Sequence, residues 1–171
     1  MEDLKKIIRE VPDFPKPGVN FYDVTTLLRE PAALRQVIDR FVEEYSLQRI
    51  DLVFGMESRG FIFAPTVAYR LRAGFVPVRK PGKLPWKTRS VRYDLEYGQD
   101  SLEIHEDAVL PGQRVLILDD LIATGGTAAA TVQMARAMGA NVVAAAFLIE
   151  LTFLRGRDRL PDTPLFSILK Y

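Results

Sequence analysis

Four short apolar runs, at residues 50–54, 75–79, 114–118 and 141–149, are continuous rather than alternating, and helical patterns separate them. A strand with one wet face alternates apolar and polar residues, whereas a run that is apolar throughout needs cover on both faces. Such strands, interleaved with helices, predict an α/β fold: a mostly parallel central sheet flanked by helices and joined by right-handed crossovers. Residues 60–72 read as one covering helix. The alanine-rich segment 127–138 reads as another, ended by Gly139. Pro31 suits the first turn of an earlier helix, in which Leu34, Val37, Ile38, Phe41, Val42 and Tyr45 repeat at three and four and give one inward face. Residues 3–10 read as a short amphipathic helix. Pro12, Pro15, Pro17 and Gly18 then enforce an irregular segment, since proline neither continues a helix nor donates to a sheet.

The 171 residues, 48% of them apolar, suit one domain with a full core. The formal net charge is +1, so the chain lacks the broad basic field of a nucleic-acid binder, and any anion must be held by local groups. There is no cysteine, which excludes disulfides and thiolate metal sites. His105 is the only histidine and reads as a surface strand residue. An imidazole zinc site is excluded, and so is a Ser-His-Asp triad unless His105 serves it. No apolar run reaches membrane-spanning length and the first ten residues lack a signal-peptide core, so no membrane partner is expected and the cytoplasm is the default location.

Residues 80–110 interrupt the alternation. Pro81, Gly82, Pro85, Trp86 and a set of cations come first, and residues 90–108 alternate enough for an antiparallel ribbon. An insertion this long in a compact domain is usually functional.

Chemistry collects at residues 115–127. The apolar strand Val115-Leu116-Ile117-Leu118 stops at Asp119 and Asp120, and Ala123-Thr124-Gly125-Gly126-Thr127 leads into a helix. The two glycines let backbone amides approach an anion, the threonines add hydroxyl donors, and the helix N-terminus adds partial positive charge, so a phosphate fits there. Paired carboxylates beside a phosphate make sense as acceptors for sugar hydroxyls. Together the halves describe a ribose 5-phosphate. The segment is neither a P-loop nor a dinucleotide fingerprint, because no Gly-Lys-Ser/Thr closes it and no Gly-x-Gly-x-x-Gly follows the strand.

This segment resembles the phosphoribosyl pyrophosphate motif of type I phosphoribosyltransferases. Residues 12–21, 57–61, 79–85, 95–98 and 149–152 look like the adenine phosphoribosyltransferase family, in that family's order and across nearly the whole chain. The resemblance implies transfer of ribose 5-phosphate from phosphoribosyl pyrophosphate to adenine, giving AMP and pyrophosphate. It also implies Mg²⁺ bound chiefly through substrate, and a homodimer. Residues 1–171 would form one phosphoribosyltransferase domain, with an N-terminal base-binding hood at 1–30 and an antiparallel flexible-lid insertion at 80–110.

The resemblance also assigns roles. Asp119 and Asp120 would serve catalysis and hold ribose, with Ala123, Thr124, Gly125, Gly126 and Thr127 around the phosphate. Ser58, Arg59, Arg79, Lys83 and Tyr97 would hold pyrophosphate, and a non-proline cis bond near Glu57-Ser58 would expose amides to it. Glu96 would steer the proton leaving the purine. Phe21 would stack on the base, Asn20 and Tyr22 would offer it backbone groups, and Leu151 would pack against it. The chain departs from the family at Tyr22, where arginine is usual, and at Asn20, often aliphatic. No protein-only metal site is expected. Two alternatives stay open: an enzyme for another purine base, and a phosphoribosyl pyrophosphate sensor without catalysis.

Overall fold

A computed structural model describes residues 2–94 and 99–171. In chain order the elements are α1 (Glu2–Ile7), β1 (Arg9–Val11), β2 (Phe21–Asp23), α2 (Thr25–Leu28), α3 (Pro31–Tyr45), β3 (Leu52–Met56), α4 (Gly60–Leu71), β4 (Gly74–Val78), β5 (Thr88–Asp94), β6 (Gln99–His105), β7 (Arg114–Ile122), α5 (Gly126–Ala137), β8 (Asn141–Glu150) and β9 (Leu165–Lys170). Two short 3-10 turns, Thr152–Leu154 and Gly156–Arg159, link the last two strands. Among the described residues no helix is long and apolar enough to cross a membrane.

The central sheet has five strands in the order β4-β3-β7-β8-β9, and every pair is parallel. Its strands are covered on both faces, as continuous apolar runs require. Leu116, Leu118, Ala144, Ala146 and Leu148 face a core built with α3 and α4 through Val37, Phe41, Phe63 and Val67. Val115, Ile117, Ala145 and Phe147, offset by one residue, face α5 and the hairpin residues Leu102 and Ile104. Phe41 and Phe63 are wholly buried, each worth roughly 1.5–3 kcal/mol relative to exposure. Gly139, at φ +86, lets α5 stop: the Ala140 N–H turns back to the Ala135 carbonyl at 3.0 Å.

Two smaller antiparallel sheets complete the fold. β5 and β6 form the ribbon expected within the insertion, and Arg79 and Glu103 exchange backbone hydrogen bonds of 2.9 and 2.7 Å that fasten it to the end of β4. β1 pairs with β2. That pairing corrects the single helix expected over residues 3–10: α1 ends at Ile7 because Arg9–Val11 find partners in Phe21–Asp23. The sheet also gains a fifth strand, β9, where no element was expected. β7 runs on to Ile122, so Asp119 and Asp120 lie within it instead of beyond its end.

Candidate active site

All five sheet strands are parallel, so the segments after β3, β4, β7, β8 and β9 emerge along one edge. From β3 the chain goes outward to β4, then returns to β7 and continues outward through β8 and β9. The crevice between β3 and β7 is therefore the topological switch point, where open α/β sheets bind ligands. Pairing of β3 with β7 ends at Gly55–Leu118. β7 continues along β8, with Asp119 opposite Phe147 and Ile122 opposite Glu150. Asp119 is thus the first residue of β7 freed from β3.

A polar pocket of about 120 Å³ opens there, lined by Asp119, Ala123, Thr124, Gly125, Gly126 and Thr127, with Met56 and Phe147 behind them. It is smaller than the roughly 300–1,000 Å³ that enclose a drug-sized ligand, so it suits one polar group of a larger molecule. Gly125 stands before α5 at φ +81, in the left-handed region that favours glycine. A Cβ on it would run into the Gly156 carbonyl, and a Cβ on Gly156 would run into the Ala123 carbonyl. The backbone of the loop therefore lies directly against the backbone of Gly156, which holds the amides at the mouth of α5 in one arrangement.

The acid pair is held unwillingly. Asp120 is only 3% exposed. Arg59 Nε lies 2.5 Å from its Oδ2, but the N–H does not point at that oxygen, which is left without a hydrogen-bond donor. Asp119 accepts the Asp120 N–H at 2.8 Å through Oδ1 and keeps part of its surface open to the pocket. Burial pushes the Asp119 carboxyl well above the usual carboxylate range, and the neighbouring Asp120 charge pushes it further. Burial also raises Asp120, against the opposing pull of Arg59. Two carboxylates in this position seek positive charge, and Arg59 is the cation paired with them, through Asp120.

The cations expected around pyrophosphate gather one strand away. The loop after β3 contains a cis bond at Glu57-Ser58, as the resemblance implied. Ser58 is exposed. Glu57 Oε1 takes Lys83 Nζ at 2.5 Å, and its carboxylate takes the Arg79 guanidinium at 3.3 Å and the Lys80 N–H at 2.9 Å. Burial works against the Glu57 charge, but the hydrogen bonds from Lys83, Lys80 and Arg79 outweigh it and bring the carboxyl down to about 2. Glu57 was not among the site residues expected from sequence. Its place between a strand end and Arg59 was the available signal.

Arg59 joins two parts of the site. Its guanidinium pairs with Asp120 and lies over the Phe21 ring, 5.1 Å from the centroid. The Phe14 ring meets Phe21 edge-on at 5.1 Å. Asn20 donates its side-chain amide to Glu10 at 2.8 Å, tying the approach to β2 onto β1. Tyr22 turns inward, 9% exposed, and its ring lies 4.2 Å from that of Tyr171. Leu151 is also buried, and its N–H bonds the Ile122 carbonyl at 3.0 Å, beside the phosphate-sized pocket. Glu96 and Tyr97 lie outside the described residues. Tyr93, which drew no attention in the sequence, sits opposite Asp100 in the ribbon. Its hydroxyl accepts from Thr127 Oγ1 at 3.3 Å and donates to Asp100 at 3.2 Å, where Lys80 also pairs.

Among the described residues, no group of three or more histidine, aspartate or glutamate side chains could hold a metal. A divalent ion here would have to arrive with oxygens of its own.

Residues 23–169 match the family described as Phosphoribosyl transferase domain. The adenine phosphoribosyltransferase of Acidobacterium capsulatum is 58% identical over 170 residues, covering 99% of this chain and 94% of that relative. Among solved structures, adenine phosphoribosyltransferase from Thermoanaerobacter pseudethanolicus superposes with a TM-score of 0.97 at 50% identity, covering 99% of both chains. The Saccharomyces cerevisiae enzyme, complexed with an imino-altritol bisphosphate and adenine, gives 0.92 at 41% identity, covering 98% of this chain and 97% of its own.

Proposed function

The chain belongs to the phosphoribosyl transferase family, in its adenine phosphoribosyltransferase branch, and from that premise we propose how it makes AMP and pyrophosphate from adenine and phosphoribosyl pyrophosphate. The observation that carries the reading is the acid pair at the switch point, Asp120 buried and Asp119 half-buried, set directly against a glycine-rich pocket at a helix N-terminus. Phosphate of the donor sits on the backbone amides of Gly125, Gly126 and Thr127, with the Thr124 and Thr127 hydroxyls and Ala123 around it. Ribose hydroxyls donate to Asp119 and Asp120, filling the unmet need of Asp120 Oδ2.

Displacement takes place at the anomeric carbon. A ring nitrogen of adenine forms the new bond as the bond from carbon to the pyrophosphate oxygen breaks, and that nitrogen's proton passes to Glu96. Positive charge grows on the sugar in an oxocarbenium-like state. That charge develops beside two carboxylates whose ionised forms burial disfavours, so it is stabilised more than in water. Pyrophosphate leaves toward Ser58, Arg59, Arg79 and Lys83. The base occupies the region of Phe21, between the backbone of Asn20 and Tyr22 and the Leu151 side chain.

Mg²⁺ fits this site as an ion carried chiefly by donor oxygens: Asp119 lines the pocket, while Asp120 is paired with Arg59 and Glu57 is taken up by Lys83 and Arg79. When bound it offsets charge on the leaving group. We read the chain as one phosphoribosyltransferase domain, with residues 1–30 as the base-binding hood, working as a homodimer in the cytoplasm.

The test is chromatography of products after incubation with phosphoribosyl pyrophosphate, Mg²⁺ and each nucleobase in turn. AMP with stoichiometric pyrophosphate from adenine is expected. Nucleotide formed only from another purine refutes the base assignment, and donor binding without any product refutes catalysis.

A further inference from the structure

β9 was not expected from the sequence, and neither was a role for Tyr171. β9 runs parallel to the other strands, so Tyr171 arrives at the same edge as the acid pair and the glycine loop. Its backbone brackets Leu151. The Tyr171 N–H donates to the Glu150 carbonyl at 3.0 Å, and its carbonyl accepts from the Thr152 N–H at 2.9 Å and from Thr152 Oγ1 at 2.6 Å. Leu151 itself is pinned to β7 through the Ile122 carbonyl. The Glu150 end of this bracket is fixed in turn: its carboxylate takes Arg157 at 3.0 and 2.8 Å and Ser167 Oγ at 2.5 Å.

The side chain of Tyr171 reaches the other way. Its ring lies 4.2 Å from Tyr22, tilted by 45°. Lys5 Nζ of α1 lies 5.2 Å from the centroid of the Tyr171 ring. Tyr22 is the middle residue of β2, immediately after Phe21, and is paired with Glu10 of β1. A displacement of Tyr22 therefore carries Phe21 with it. One residue holds both segments assigned to the base: Leu151 through backbone hydrogen bonds, and Phe21 through a ring contact.

We infer that Tyr171 is a positioning residue for the purine base, its ring fixing the Tyr22 strand, and hence Phe21, relative to Leu151. The inference rests on the base site proposed above. A side-chain substitution removes the ring's contacts with Tyr22 and Lys5 and leaves the hydrogen bonds to Glu150 and Thr152, to which Tyr171 contributes backbone atoms alone. Loss of the ring removes one support of the β2 segment, which keeps its pairing with β1 and the Arg59 contact at Phe21, while Leu151, Asp119, Asp120 and the glycine loop keep all of theirs. The expected signature is a change in base affinity without a change in donor affinity.

The experiment compares wild type, Tyr171→Ala, Tyr171→Leu and Tyr171→Phe by steady-state kinetics with adenine and phosphoribosyl pyrophosphate varied separately. Tyr171→Ala should raise KM for adenine roughly threefold to tenfold, the worth of an aromatic pair, with KM for the donor unchanged. Tyr171→Phe should restore the wild-type value. Tyr171→Leu keeps apolar bulk without a flat ring, and it should resemble the alanine variant and replace it should that variant fail to fold. Equal rises in both KM values, or an unchanged KM for adenine in the leucine variant, overturn the positioning role. A wild-type protein that forms no AMP overturns the base site itself, which separates the two failures.

Discussion

Replacing Gly125 by alanine places a methyl group where the chain has no room for one. The residue sits at φ +81, and the new Cβ would collide with the Gly156 carbonyl and come within 3.0 Å of the Gly156 Cα. The contact is backbone against backbone, since the place a Cβ on Gly156 would take is itself crowded by the Ala123 carbonyl, Ile122 Cγ1 and the Gly125 nitrogen. The left-handed backbone alone costs about 1–2 kcal/mol for a residue with a Cβ, and overpacking against fixed neighbours adds about 1–3 kcal/mol. This strain of roughly 2–5 kcal/mol has two outlets. If the loop holds its shape, the melting temperature falls by at least about 4 °C, since about 1 kcal/mol shifts Tm by about 2–4 °C in a chain of this size. If the loop yields, the amides leave their positions and about 2 kcal/mol appears as a roughly thirtyfold rise in KM for phosphoribosyl pyrophosphate. Thermal unfolding and kinetics with varied donor measure both. Gly112→Ala is the control: its φ is +84, but nothing lies within 4 Å of the added Cβ, so only the backbone cost should appear, with donor KM intact. A Gly125→Ala enzyme with wild-type Tm and wild-type donor KM would refute the rigid-nest argument.

Asp119→Asn should stabilise the fold while cutting turnover sharply. The folded carboxyl is raised above 3.8, so the wild type loses stability relative to the variant as pH rises from 3.8 through the folded value; a variant that melts lower yet turns over normally contradicts this. Glu57 behaves oppositely: its carboxyl falls from 4.5 to about 2, so the stability it contributes is complete above 4.5 and lost as pH drops toward 2. Glu57→Gln should therefore flatten the acid limb of a Tm-against-pH curve, and an unchanged limb argues against the cluster with Arg79 and Lys83. Phe21→Ala removes the stacking surface, which is worth about 1–3 kcal/mol per base; KM for adenine should rise at least about fivefold with little change in donor KM, and the reverse pattern would move the base elsewhere.

Much of this architecture was legible because burial writes itself into sequence locally. Continuous apolar runs located four of the five central strands, and the three-four repeat from Leu34 to Tyr45 located α3. Pairing between distant segments left no such mark. Arg9–Val11 look like the end of an amphipathic helix until Phe21–Asp23 pair with them. Leu165–Lys170 is short and follows Pro161 and Pro164, so nothing local marks it as a strand; its partner is β8. Paired aspartates argue for a strand end, yet β7 continues through them because β8 runs alongside.

The candidate site divides in the same way. The glycine-threonine loop was readable because its residues are adjacent in sequence. The attachment of Lys83 and Arg79 to Glu57, more than 20 residues earlier, depends on β3 lying beside β4. The contact of Tyr22 with Tyr171 depends on a strand that the sequence did not announce. Tyr93 needed the ribbon register before Thr127 and Asp100 came within reach.

The most direct measurement is a crystal structure with AMP bound. The phosphate should lie within hydrogen-bonding distance of the Gly125, Gly126 and Thr127 amides, with the ribose hydroxyls on Asp119 and Asp120 and the purine against Phe21. A nucleotide bound firmly elsewhere, with the pocket between β7 and α5 filled by water, contradicts the account.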